Sequence, residues 1–176
     1  MSAQENPARW PNDIYSAFQR AGIRQVAYVP DAGHTQLILK CHADRNMQAV
    51  SLTSEEEGVA MLAGTWLGGQ RGALLMQSSG AGNCINILGT IVECRFPLLA
   101  LVTMRGEWGE FNPWQLPMGQ STAPVLQASG VVVQHVDDAS RVGETVFAAA
   151  QMAFSAYRPV AVLIGQRVIG FKDWSK

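Results

Sequence analysis

Charge is scarce in this sequence. Only 15% of its 176 residues are Asp, Glu, Lys or Arg, while 48% are hydrophobic. An ordinary globular domain carries about 25% charged residues. So few charges cover a free surface poorly, and part of the chain is expected to be buried against another chain. There is no basic stripe, and the formal net charge is −1. Both argue against nucleic acid as a partner. Long apolar runs are missing as well. None approaches the ~20 residues that span a bilayer, and the polar start MSAQENPARWPND has no signal-peptide character. A cytoplasmic protein is expected. Cysteine is limited to Cys41, Cys84 and Cys94, at irregular spacing and with no Cys-x-x-Cys pair. All three are expected as small core residues in a reducing compartment. No set of residues has metal-ligand spacing along the chain.

What is present is an alternation of short apolar runs with longer helical ones. Strands are expected at 24–30, 47–52, 72–77, 97–104, 130–136 and 159–165. Several are apolar throughout, the pattern of strands covered on both faces. Helices are expected at about 12–21, 33–43, 54–68, 81–94, 119–129 and 139–156. The fold class is therefore α/β, a doubly wound, mostly parallel sheet of about six strands with helices on both faces. Such sheets bind ligands beyond the carboxyl ends of their strands. Four stretches fall there: PDAGH (30–34), TSEEEG (53–58), QSSGAGN (77–83) and the irregular RGEWGEFNPWQLPMG (105–119).

The triplet Glu55-Glu56-Glu57 admits two readings. Acidic residues suit a first helical turn, and both Thr53-x-x-Glu56 and Ser54-x-x-Glu57 fit a capping box. On a helical wheel, however, Glu55 shares its face with Val59, Leu62 and Trp66. Glu56 shares one with Ala60, Ala63 and Leu67, and no face carries further charge, so the whole helix is expected to be buried. A carboxyl group on the bulkiest apolar face is desolvated, which raises its pKa, and it needs a partner or a role.

The turn Gln77–Asn83 is rich in small residues. It is either a tight strand-to-helix connection or a cradle that brings backbone N–H groups to a ligand. It lacks the third glycine of a dinucleotide fingerprint, the Walker lysine and the glycine of a nucleophile elbow. Asp31 is either an N-cap or a site residue. Arg105 is either a surface charge or a clamp for an anion. His34 lies in the first loop, where ligands dock. His42 and His135 read as structural, and Asp137 and Asp138 as caps for the helix that follows.

Several of these motifs occur together in one family. The chain resembles the pyrimidine-binding (PYR) domain of thiamine-diphosphate-dependent decarboxylases, in particular the stand-alone alpha subunit of sulfopyruvate decarboxylase and the corresponding half of phosphonopyruvate decarboxylase. The resemblance runs from about Asp13 to Ile169. It rests on VP followed by LI (29–38), EEEGVAMLAGTWLGG (55–69), MQSSGAGNCINILGTI (76–91) and RGEWG…PMGQSTAPVLQASGV (105–131). It implies one PYR domain over 13–170, between a polar extension (1–12) and a short tail (171–176). In this family a glutamate lies nine residues before the glycine of an Ala-Gly pair, and counting back from Gly64 gives Glu55. Glu55 would then hydrogen-bond N1′ of the cofactor's aminopyrimidine and activate it.

The resemblance further implies Gln77, Ser78, Gly80 and Asn83 as cofactor-binding residues. It implies Asp31, His34, Arg105 and Gln115 as substrate-binding ones. The Gly-Asp-Gly…Asn-Asn signature that holds the diphosphate is absent. Thiamine diphosphate would thus be shared with a separate beta subunit, which holds the Mg2+, and self-association to two copies of each chain or more is expected. Asp31 stands where these families carry Cys or Ser. Phe111-Asn112-Pro113-Trp114-Gln115-Leu116 stands where they carry Asp-Glu-Pro-Gln-His, so the loop is apolar and a bulkier 2-oxo acid is expected. Carboligation is a variant of this chemistry. A flavodoxin-like nucleotide-binding or regulatory module, with the 77–83 turn on a phosphate, is the alternative of a different class. A scaffold subunit is a third.

Overall fold

The computed structural model describes residues 9–170. The expected tail 171–176 and residues 1–8 of the expected extension lie outside the described residues. Six strands form one sheet: β1 (Ile23–Tyr28), β2 (Gln48–Ser51), β3 (Arg71–Gln77), β4 (Leu98–Thr103), β5 (Val132–Val136) and β6 (Pro159–Ile164). Their order is β2-β1-β3-β4-β6-β5 and every pairing is parallel. The helices are α1 (Trp10–Ala21), α2 (Thr35–Ala43), α3 (Glu55–Leu67), α4 (Ser78–Ala81), α5 (Ile85–Glu93), α6 (Gln115–Ala128), α7 (Val142–Ala156) and α8 (Gln166–Ile169). Among the described residues no helix is long and apolar enough to cross a membrane.

The uniformly apolar strands are explained by two cores. Successive strand side chains point to opposite faces. Leu75, Leu99, Leu101, Val160 and Val162 face α1, α2 and α7. Their neighbours Leu74, Met76, Ala100, Val102 and Ala161 face α3, α5 and α6. The interior positions of central strands β3, β4 and β6 therefore need apolar residues on both faces. Edge strands β2 and β5 are only half-buried.

Helix starts depart from expectation in several places. The chain enters helical conformation at Ser78, directly after β3, and continues through a 3-10 turn at Gly82–Cys84. Neither Gly80 nor Gly82 adopts a positive φ. Helix α6 begins at Gln115 rather than 119, because Pro117 falls in its first turn, where a missing N–H costs nothing. Likewise α1 begins at Trp10, inside the span expected as an extension, with Pro11 in its first turn.

The chain runs from β1 outward to β2 and then back across to β3. Helix α2 covers one face and α3 the other. This reversal is the topological switch point, and the crevice beyond β1 and β3 is where such sheets receive ligands.

Candidate active site

Glu55 is the first residue of α3, and its side chain is directed inward. Ser54 is the N-cap residue in extended conformation, yet its hydroxyl caps nothing. Instead Glu57 reaches back and accepts from the Thr53 N–H at 2.9 Å. Neither expected capping box is therefore completed, but Glu57 does serve the helix start. Glu56 and Glu57 are exposed, whereas Glu55 is only 7% exposed. Val59 and Leu62 on the same face are buried, as the wheel indicates. The helix as a whole is not buried. Ala60 is exposed and Leu67 is 73% exposed, so its far side is an apolar surface.

The Glu55 carboxylate is held against the start of α4. Asn83 Nδ2 donates to Oε2 at 2.8 Å. Oε1 lies over Gly80, where any side chain would occupy its place. Gly80 has ordinary helical φ, so the close approach of Glu55, and not backbone conformation, is what requires glycine there. Glu55, Gly80 and Asn83 are thus brought together. Cys84 lies below them. Burial first, then the charges of Glu55 and Glu56, push its thiol up to about 12, which leaves it unreactive at neutral pH.

A second cluster occupies the switch point. Asp31 accepts from Thr103 Oγ1 at 2.6 Å, from the Gly33 N–H at 3.1 Å and from Gln77 Nε2 at 3.3 Å. Gln77 in turn accepts from Ser79 Oγ at 2.9 Å. Asp31 therefore caps the turn that follows it and also fixes the tips of β1, β3 and β4 together. Asp31, Thr103, Gln36 and Arg105 line a cavity of about 310 Å³ whose other walls include Trp10, Pro11, Val168 and Ile169.

Two expected substrate-binding residues lie elsewhere. His34 is fully buried, with Nε2 3.2 Å from the Leu101 carbonyl. Burial lowers its pKa against the opposing pull of Asp31, so it packs as a neutral ring beneath the loop. Gln115 opens α6, where its backbone carbonyl packs on Gly106, and it does not line the cavity. Ser78 is also buried. Its hydroxyl accepts from the Arg105 N–H at 3.1 Å, which commits it to the 105 loop.

Arg105 does reach the cavity, but its guanidinium is engaged. Nε and Nη2 both donate to Glu110 at 2.7 Å, a bidentate pair. The Glu110 side chain is 1% exposed and also accepts from the N–H groups of Gly106 and Asn112 and from Gln166 Nε2. Burial alone would raise its pKa. Arg105, the two backbone donors and Gln166 outweigh that and hold it down to about 2. Gln166, itself buried, accepts from the Glu107 and Trp108 N–H groups at 3.0 Å.

The loop is tied to the sheet at one further point. His135 lies 3.0 Å from Glu107 Oε1 through Nε2 and 3.3 Å from Asp137 Oδ2 through Nδ1. The three residues bring ligand-type atoms within 4.8 Å of one another. Both imidazole nitrogens are directed at carboxylates, which is an ion-pair arrangement. Asp137 therefore serves His135, and only Asp138 acts as a cap, accepting from the Ser140 N–H at 2.8 Å. The Glu107 hydrogen bond raises the His135 pKa despite burial, and the charges of Glu107 and Asp137 add to it. A raised folded pKa contributes stability below about pH 6.5 that is lost as pH rises through it. In an NMR titration His135 should have its midpoint above 6.5, and Glu107→Gln should move it down. An unmoved midpoint would exclude the pairing.

His42 accepts or donates at 2.7 Å with the Tyr28 hydroxyl, a structural contact. Cys41 and Cys84 are buried, but Cys94 is exposed, because it caps the solvent side of α5. Thr103, Glu110 and Gln166 were not singled out by the sequence. A polar residue at the end of an otherwise apolar strand, as Thr103 is in β4, is the signal that identifies one of them, and Gln166, which opens α8 just beyond β6, carries a weaker form of it.

No family model matches the chain. It is similar to the sulfopyruvate decarboxylase subunit alpha of Methanococcus maripaludis, 32% identical over 86% of this chain and 91% of that one. The subunit of the same name from Methanothermobacter thermautotrophicus is 30% identical over 86% and 92%. A phosphonopyruvate decarboxylase of Streptomyces viridochromogenes is 32% identical over 89% of this chain but only 40% of its own length. Among solved structures, a 2-oxoglutarate:ferredoxin oxidoreductase from Magnetococcus marinus superimposes with a TM-score of 0.72 at 14% identity. It covers 91% of this chain and 29% of that one, and it shares the fold. With two alpha subunits matched at 30% identity or more over nine-tenths of their length, the chain belongs to the family of sulfopyruvate decarboxylase alpha subunits.

Proposed function

We propose that this chain is the alpha subunit of a two-chain, thiamine-diphosphate-dependent decarboxylase of 2-oxo acids, non-oxidative and active only with a beta subunit. The observation that carries this reading is Glu55, a carboxylate only 7% exposed and seated on Gly80 at the ligand-binding end of the sheet. A buried carboxyl group of this kind suits a flat nitrogen heterocycle with which it can share a proton. The bound cofactor would supply the electron sink that lets carbon dioxide leave.

The residues of this chain have separable tasks. Glu55 would hold the proton at pyrimidine N1′, and Asn83 orients it by donating to the other oxygen. Gly80 keeps the seat open. Gln77 joins this seat to Asp31 and the substrate side. The diphosphate and Mg2+ are assigned to the beta chain, since the Gly-Asp-Gly signature is absent. The apolar far side of α3 and the exposed Trp114, Phe111 and Leu116 supply surface for that partner and for a second copy. The apolar cavity walls Trp10, Val168 and Ile169 support a 2-oxo acid bulkier than a three-carbon one.

The nucleotide-binding reading loses its phosphate site. The Glu55 carboxylate already lies over the turn that would receive it, and two anions there repel each other. The purified chain alone should release no carbon dioxide from any 2-oxo acid, even with thiamine diphosphate and Mg2+. Adding the beta chain should restore release, and product analysis with added aldehyde separates decarboxylation from carboligation. Turnover by the alpha chain alone would refute the two-chain assignment.

A further inference from the structure

The cavity at the switch point has a charge that can be summed from the groups facing it. Asp31 contributes a carboxylate whose two oxygens meet three donors, as suits an acceptor-only group. Arg105 is the one cation lining the cavity among the described residues, and Glu110 takes its guanidinium in a bidentate pair. Glu110 is held to about 2 and stays ionised at any working pH, so it cancels Arg105. His34, beneath the loop, is buried and directed away from a charged state, so it adds no positive charge. Thr103 and Gln36 are neutral. Among the described residues lining the cavity one negative charge is left uncompensated, beside the apolar Trp10, Pro11, Val168 and Ile169.

Given the decarboxylase reading on which this rests, we propose that this cavity receives the side chain of the 2-oxo acid and that Asp31 selects side chains bearing no second anionic group. A sulfonate or phosphonate placed there would face a like charge with no free cation among the described residues of this chain lining the cavity to offset it. Two like unit charges about 6 Å apart in a half-screened site lower affinity roughly a hundredfold. The substrate class is then a 2-oxo acid with a neutral, largely apolar tail. This departs from the substrates in the names of the relatives, each of which has an anionic group at that end.

The test uses the complex reconstituted with its beta chain. It compares kcat/KM for phenylpyruvate and 2-oxo-4-methylpentanoate with those for sulfopyruvate and phosphonopyruvate. The expected result is a neutral-tail preference of roughly a hundredfold, residing mainly in KM and shrinking as ionic strength rises. Asp31→Asn should narrow the preference at least about tenfold. The salt dependence of the unmodified complex decides the matter should that variant fold poorly. A preference for the doubly anionic acids would overturn the inference and leave the decarboxylase assignment standing. A neutral-tail preference unmoved by both salt and Asp31→Asn would remove Asp31 as the selector. Turnover of no 2-oxo acid would remove the decarboxylase assignment itself, and this inference with it.

Discussion

Glu55→Gln should lower decarboxylation by the reconstituted complex roughly a hundredfold or more, the range found when a positioned acid–base group is removed. The change is nearly isosteric. The glutamine carbonyl can still accept from Asn83, and its amide still fits over Gly80, so the fold should persist with little change in melting temperature. What is lost is the capacity to share a proton at the seat. Loss of rate without loss of fold therefore distinguishes chemistry from packing, and activity equal to the unmodified protein would remove the central claim. Gly80→Ala gives an independent check, because a methyl group there occupies the place of Glu55 Oε1. It should lower activity by displacing a carboxylate that is chemically intact. If Gly80→Ala is active while Glu55→Gln is not, the carboxylate can work from another position.

Glu110→Ala should be the most destabilising single change in the site region, by about 3 kcal/mol. The truncation leaves a partly buried Arg105 without its counter-ion. It also strips acceptors from the Gly106 and Asn112 N–H groups and from Gln166. Urea denaturation reads the loss directly. Glu110→Gln, which keeps an acceptor, should cost less. The pH dependence follows from the sign of the shift. A folded pKa near 2 lies below the ordinary carboxyl value, so the Glu110 contribution is complete above about pH 5. It declines as pH falls toward 2, and the variant should show a flatter acid limb than the unmodified protein. Equal acid sensitivity would show that Glu110 is not the group that titrates. Freeing Arg105 also tests the charge ledger of the cavity, since the same variants restore a cation to it.

The positions and the buried, parallel type of the strands were legible in the sequence because hydrophobic periodicity is a local property, whereas their order in the sheet was not. Runs such as GALLMQ and PVAVLIG announce a two-sided core wherever they fold. Glu55 was legible for the same reason. Its place on the Val59–Leu62 face is fixed by helical geometry, and burial of that face follows. The stretch 77–83 was expected as a turn but is helical from Ser78, and its glycines were read as backbone devices. Gly80 proves to be shaped by Glu55, which is 25 positions away and is invisible to any local rule. Arg105 illustrates the limit. Its position after β4 marks it as a loop cation, and nothing nearby in sequence says whether its charge is available.

The sequence by itself determined a parallel α/β sheet, a helix over about 54–68 with Glu55 on its apolar face, and the loops that crown the sheet, because these follow from periodicity and turn chemistry within a few residues. Only the tertiary structure decided which charges are free. Glu110 meets Gln166 across 56 positions, Asp31 meets Thr103 across 72 and Glu107 meets His135 across 28. Parallel strands bring their carboxyl ends to one edge whatever their distance along the chain. Coulomb energy depends on that spatial distance and on burial, and so a cavity in which Glu110 neutralises Arg105 beside Asp31 emerges only once the chain has folded.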